Sequence, residues 1–283
     1  MDRDFEAPDI PEPSREPVGR PTPQHPEESR ASRDHDGIRV HGHLYRTSPA
    51  ERETMQDIGR FRTVTLADLA HYQYQGNAQL MRQDLRSLRA QGLIQTRTVW
   101  AGPRSQKLAL VALTKQGKAL LEAGGSSSGQ ALYSGFVKPA EVRHDAAIYR
   151  MYQAEKQKID KSGGRIRRVV LDYELKQKVY SPLAKARGIA PLDYARRQAE
   201  VARQNGLTVI EGKIPLPDLR IEYEGPSGDL ARVDLELATE HYHGPALQAK
   251  AQAGFKMYAA DGSASKLSRV LEDREITAAI LSL

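Results

Sequence analysis

The run Gly124-Gly125-Ser126-Ser127-Ser128-Gly129 constrains this chain more than any other feature. Six residues with no charge and no side chain able to pack do not make the interior of a helix or strand. They read as a flexible joint. A chain of 283 residues has room for one or two domains at about 100–200 residues each. The joint therefore predicts two units, a first domain over 48–123 and a second over 138–283, with a linker over 124–137. No internal repeat recurs along the sequence.

Ahead of the first domain, residues 1–47 hold ten acidic and seven basic residues, and seven of the 16 prolines, all between Pro8 and Pro26. So few apolar groups cannot offset the entropy of ordering, which predicts a disordered tail. The chain has no cysteine, excluding a disulfide scaffold, a thiolate zinc site, an iron–sulfur cluster and a cysteine nucleophile. No apolar run approaches the ~18–20 residues that span a bilayer. The opening MDRDFEAPDI lacks the apolar stretch of a signal peptide. The expected setting is the cytoplasm, without membrane contact.

Residues 48–123 carry a net charge of +5. Ser48-Pro49-Ala50-Glu51 has the residues of a capping box with proline at the first helical position. Thr65, Asn77 and Thr114 are placed to cap three further helices, Leu66–Tyr72, one ending at Gly92, and Lys115–Ala123. Strands are predicted over Leu93–Trp100 and Lys107–Leu113, joined by a Gly-Pro turn. Three helices, a hairpin and a helix in about 75 residues make the winged-helix plan. In its third helix Leu80, Met81, Leu85 and Leu88 mark a core face. Gln79, Arg82, Gln83, Arg86 and Arg89 then face outward, the residue types that pair bidentately with adenine and guanine in a major groove. Arg104 and Lys107 fall at the wing, and Trp100 reads as a packing residue at the hairpin, with a stacking platform as the alternative. Between 77 and 107 there are six basic residues against Asp84 alone. The alternative is a solvated helix face on a protein-binding module.

The second half is split in charge, +8 over 138–205 and −4 over 206–283. A helix is expected over Pro139–Asp160, a strand over Ile166–Tyr173, and a basic helical insertion over about 174–205. Short strands are expected at Leu207–Ile210, through Pro217-Asp218 to Tyr223, and over Ala231–Ala238. A helix over Pro245–Ala259 and a last strand over Ile276–Leu283 follow. Asp218 and Glu236, on neighbouring strands, have the spacing of two carboxylates that share Mg²⁺, with Asp234 as a third candidate ligand. The position two after Glu236 is Ala238 where a nuclease would place lysine. Lys250 or Lys256, on the helix that follows, is the candidate replacement. Asp172 and Glu174 fall on one strand face nearby. His241-Tyr242-His243 lacks a third ligand and reads as a loop, and His144-Asp145 reads as a helix start.

The pairing of Pro217-Asp218 with Glu236 resembles the restriction-endonuclease-like PD-(D/E)xK arrangement. Together with Thr65-Leu66-Ala67-Asp68-Leu69, Arg86-Ser87-Leu88-Arg89-Ala90-Gln91-Gly92-Leu93-Ile94, Arg143-His144-Asp145 and Asp234-Leu235-Glu236-Leu237, it resembles the replication-relaxation family of plasmids and integrative elements, over about residues 48–260. That resemblance implies an α+β chain, a winged helix joined to a nuclease-like domain, acting on duplex DNA in replication, relaxation or transfer of a mobile element. It assigns Asp218 and Glu236 to the old metal site; Ala238 departs from the family pattern and makes the nuclease-like domain read as degenerate, with Lys250 the catalytic lysine only if the site is active. No cofactor is required for DNA binding, and Mg²⁺ only if the site is active. A relaxase or replication initiator and a second copy of the chain are the protein partners to expect. Two other readings stay open, an active Mg²⁺-dependent endonuclease and a winged-helix transcriptional regulator. No GxSxG, GxxxxGK[ST] or GxGxxG occurs, which argues against serine hydrolase, P-loop and dinucleotide chemistry.

Overall fold

Ser48 and Glu51 cap each other's backbone at the start of α1 (Pro49–Arg60), the Ser48 hydroxyl accepting from Glu51 N at 3.1 Å and the Glu51 carboxylate accepting from Ser48 N at 2.8 Å. The computed structural model in which this is seen describes residues 36–101, 106–125, 129–186, 188, 190–238, 244–259 and 280–282. Thr65, Asn77 and Thr114 cap α2 (Leu66–Tyr72), α3 (Ala78–Ala90) and α4 (Lys115–Ala123), each side chain accepting one backbone N–H three residues on, without the reciprocal bond. Each such cap contributes about 1 kcal/mol. Strands are numbered along the chain after the hairpin β1 (Asp36–Val40) and β2 (His43–Thr47). β3 (Val64–Thr65), β4 (Ile94–Ala101) and β5 (Gln106–Leu113) form an antiparallel sheet in the order β3-β5-β4. Met55, Ile58, Leu69, Leu85, Leu88 and Leu120 are buried between these helices and the sheet, each worth roughly 1.5–3 kcal/mol of transfer free energy. α4 lies so close to β4 that a Cβ on Gly117 would stand 2.0 Å from the Leu93 carbonyl oxygen.

The hairpin corrects the expectation of a tail reaching residue 47. It turns at His41-Gly42, both with positive φ (47° and 81°), the conformation a two-residue turn needs to match strand twist. Val40 and Tyr45 are buried, Arg52 pairs with Asp36 at 2.6 Å, and the Gln91 amide bonds the Arg46 backbone twice. Residues 1–35 lie outside the described residues. The linker reading also differs beyond Gly129. Tyr133 N donates to Gly59 O at 2.7 Å and Gly135 N to Leu113 O at 2.8 Å, while Leu132 and Val137 are buried. Residues 130–137 are thus laid along the first half; 126–128 lie outside the described residues.

A 3-10 turn (Pro139–Glu141) leads into α5 (Val142–Lys161), β6 (Arg165–Leu171), α6 (Asp172–Lys185) and α7 (Pro191–Gln204). Then come β7 (Leu219–Glu224), β8 (Leu230–Ala238), α8 (Gly244–Gln252), β9 (Lys256–Ala259) and β10 (Ile280–Ser282). The sheet runs β10-β9-β8-β7-β6, with β6, β7 and β8 an antiparallel meander and β9 and β10 parallel to β8. Side chains alternate across it. Val169, Leu171, Leu219, Ile221, Leu235 and Leu237 share a core with α5. Val170 lies on the other face, in a second core with α6 and α7, and so do Arg220 and Asp234, its register partners in the meander.

Three predicted elements shift. Asp172 and Glu174 open helix α6 and do not share a strand face; two carboxylates in a first turn suit the helix dipole. Residues 207–210 make an isolated bridge, Ile210 to Lys213, in place of a strand. The helix expected to reach Ala259 stops at Gln252, because Gly254 turns the chain at φ 79° and Lys256 begins β9. Residues 276–279 of the expected last strand lie outside the described residues.

The two halves share one continuous core. Tyr149 and Tyr152 of α5 each stand 5.0 Å from the Phe61 ring, and the Tyr149 hydroxyl donates to buried Asp57 at 2.5 Å. Burial pushes the Asp57 carboxyl up, against the opposing effect of that hydrogen bond. The described chain is mixed α+β, with eight α-helices and three sheets. No described helix is long and apolar enough to cross a membrane.

Candidate nucleic-acid interface and carboxylate site

Helix α3 buries Met81, Leu85 and Leu88, the face its 3.6-residue period predicts. Gln79, Arg82, Gln83, Arg86 and Arg89 are exposed on the remainder. Arg82, Arg86 and Arg89 line a groove of about 280 Å³ between α3 and the β4–β5 hairpin, whose other lining includes Thr96, Arg97, Thr98 and Ala109 and no acidic residue. Among the described residues no ion pair or hydrogen bond engages the side chains of Arg82, Arg86, Arg89, Arg97 or Lys107. Lys107 is exposed near the start of β5, across from Trp100. Arg104 lies outside the described residues. Trp100 does not pack, as its sequence position led us to expect: it is 67% exposed, one strand position before the turn.

Across the second half the basic surplus has a different character. Arg165 and Arg167 both pair with Glu224, Arg168 with Glu174, Lys176 with Asp172, and Arg203 with Glu200, all at 3.1 Å or less. Many cations of 138–205 are thus held by carboxylates, Glu224 from the acidic segment that follows and the others from within the segment itself.

Asp218, Glu236 and Lys250 meet below this layer. Glu236 is fully buried; its carboxylate accepts from Lys250 Nζ at 2.8 Å and from Asp218 N at 3.3 Å. Lys250 also donates to the Leu216 carbonyl. Asp218 accepts from Leu237 N at 2.9 Å and stands 3.6 Å from His144 Nε2. Burial opposes ionisation of Asp218, but His144, the Leu237 amide and Lys250 together hold its carboxyl below the usual range. Lys256 does not join them. It lies on β9 and bonds Glu155 of α5 at 2.7 Å.

Asp234 is the third predicted ligand and the structure removes it from the set. Arg220 grips both its oxygens, at 2.6 and 2.8 Å, and also donates to the Asn205 and Gly206 carbonyls. Mg²⁺ is commonly held by one or two carboxylates, with water and substrate phosphate completing its shell. Asp218 reaches the surface as such a carboxylate would, whereas Glu236 is fully buried with Lys250 on its carboxylate; among the described residues no group of three or more His, Asp or Glu is placed to hold a metal.

A cleft of about 940 Å³ opens over this site, walled by α6, α7, α8 and the 210–218 loop. Asp218, Lys250, Asp172, Lys176, Tyr180 and Tyr194 reach it. His144 is the residue the sequence did not single out for the site. It sits 3.8 Å from Asp145 and 3.6 Å from Asp218, and those two carboxylates raise its imidazole to about 10. The only signal was a His-Asp pair at the start of a long helix. His241 and His243 lie outside the described residues. Compared with protein-family models, curated proteins and solved structures, the chain matches none.

Proposed function

We propose that this chain is a duplex-DNA-binding protein of a mobile genetic element, acting in its replication, relaxation or transfer. In this reading residues 48–123 are a winged helix that recognises a site, and 138–283 are a restriction-endonuclease-like domain. One observation carries it: the cations of α3 stand together, exposed and without an ion pair, beside a groove with no carboxylate in its lining, whereas Arg165, Arg167, Arg168, Lys176 and Arg203 are each held by a carboxylate. Element order supports the first assignment, with three helices, the β4–β5 hairpin and β3 completing a three-stranded sheet. A helix, an antiparallel meander, a second helix and a parallel strand support the second. The resemblance to the replication-relaxation family supplies the mobile-element setting.

Arg82, Arg86 and Arg89 would then enter a major groove, where guanidinium pairs with guanine and the Gln79 and Gln83 amides with adenine. Lys107, and Arg104 by its place in the sequence, would meet phosphates beside it. The test is a titration of labelled duplexes at two salt concentrations, wild type against Arg86→Ala. A base contact predicts a loss of about 1–3 kcal/mol on the preferred site and less on random sequence. An equal loss on every sequence reduces Arg86 to a phosphate contact, and no binding at all ends the reading.

A second reading, Mg²⁺-dependent endonuclease, is favoured by the meeting of Asp218, Glu236 and Lys250. Asp218 and Glu236 would hold the ion, which when bound polarises phosphate and activates water. Lys250 would supply the ammonium that Ala238 cannot. Cleavage that requires Mg²⁺ and vanishes in Asp218→Ala is the expected result for an active site. Binding without cleavage in both proteins would leave the second domain a scaffold.

A further inference from the structure

The β4–β5 hairpin carries an indole ring into solvent at the end of a basic groove. Alternation along β4 puts Thr96, Thr98 and Trp100 on one face of the strand, and Ala109 and Lys107 are the cross-strand partners of Thr98 and Trp100. Thr96, Thr98 and Ala109 line the groove that Arg82, Arg86 and Arg89 wall. Trp100 therefore continues the groove's own floor, about 13 Å beyond Thr96 at ~3.3 Å per residue. No described ring packs against it.

We propose that Trp100 is a stacking platform for a DNA base that has left the duplex stack, so that the protein prefers a duplex interrupted or ended next to its site. This rests on the DNA-binding reading of α3. The surroundings select the ligand. A peptide or lipid surface would meet an apolar patch, but among the described residues of the hairpin Trp100 is the one large exposed hydrophobic side chain, with Lys107 beside it and a groove lined by no carboxylate leading to it. An aromatic face beside phosphate-pairing cations is the arrangement that holds unpaired nucleotides. A closed duplex offers an indole no base face, whereas an overhang, a bulge or a melted step does. The span of about 13 Å corresponds to roughly four stacked nucleotides at 3.4 Å each along one strand, which sets where the open base should lie relative to the groove.

Trp100 is the sole tryptophan of the chain, so its emission reports on this contact alone. The experiment follows the full chain's intrinsic fluorescence and, in parallel, the anisotropy of labelled DNA. One substrate is a closed duplex; the other is the same duplex with a single-stranded overhang. Quenching on the overhang substrate, with a preference of about 5-fold or more that is lost in Trp100→Ala and kept in Trp100→Phe, is the expected result. Anisotropy that reports binding of both substrates while emission stays unchanged, or a Trp100→Ala protein that keeps the preference, overturns the stacking proposal and leaves DNA binding intact. No anisotropy change with either substrate overturns the DNA-binding reading and this proposal with it.

Discussion

The α3 face and the α5–α7 region are both basic in sequence, and the structure treats them oppositely. On α3 the guanidiniums project from one helix side with no acidic neighbour along the groove. Around α6 and α7 the lysines and arginines are interleaved with Asp172, Glu174, Glu200 and Glu224, which take them up in short-range pairs. Exposed pairs of that kind contribute little to stability, about 0–1 kcal/mol each, but they engage individual cations with a local carboxylate. Net charge along a sequence therefore does not say which cations a fold leaves without a partner.

Charge reversal breaks or sharpens this contrast most directly. Arg82, Arg86 and Arg89 changed together to Glu should weaken duplex binding by about a hundredfold or more near 0.1 M salt, since several phosphate or base contacts are lost at once. Arg167, Arg196 and Arg203 changed to Glu should cost less than about threefold in the same anisotropy titration. Equal losses would erase the distinction between the faces.

Stability should show the inverse pattern. Lys250→Met leaves the Glu236 carboxylate buried without its cation, which should cost ~3 kcal/mol in urea unfolding. Arg86→Met, on an exposed face, should stay within about 0.5 kcal/mol of wild type. Tyr149→Phe, which removes the hydroxyl donating to Asp57 between the halves, should fall between them at about 1–3 kcal/mol.

The smallest effect concerns His144. Two carboxylates raise its pKa, so the folded state binds a proton that the unfolded chain releases near the ordinary value of 6.5. The resulting stabilisation is complete below 6.5 and disappears as the pH rises through about 10. His144→Gln should flatten the unfolding midpoint across that window relative to wild type. An unchanged pH profile would mean that the Asp145 and Asp218 pairs contribute nothing measurable at this half-exposed site.

The first half was legible because its helix starts are written locally. Ser48, Thr65, Asn77 and Thr114 each accept a backbone hydrogen bond three residues on, and such signals need no tertiary context. The β1–β2 hairpin was missed because the prolines before Pro26 set the composition of a window that reaches residue 47. Its turn, His41-Gly42, also lacks the asparagine or aspartate that usually marks one. In the second half Asp172 and Glu174 continued an alternating pattern although they open a helix, and Gly254 outweighed the alanines that seemed to extend α8. The contact of Lys250 with Glu236 was foreseeable from a helix returning beside its strand. That of His144 with Asp218, 74 positions apart, was not, because nothing local records which helix crosses which sheet. Trp100 was misjudged for a simple reason: alternation gives the face of a residue but not whether anything covers that face.

The core shared by Phe61, Tyr149 and Tyr152 has a consequence for how the molecule would sit on DNA. Two modules on a loose tether can adjust to any spacing between the sites they touch; modules welded through a common core behave as a protractor. With α3 seated in a groove, the cleft above Asp218 would point at one azimuth around the helix axis. Each base pair inserted between the two contacts rotates that azimuth by about 34–36°. Site arrangements half a helical turn apart should then be opposites, one presenting the DNA to the cleft and the other turning it away.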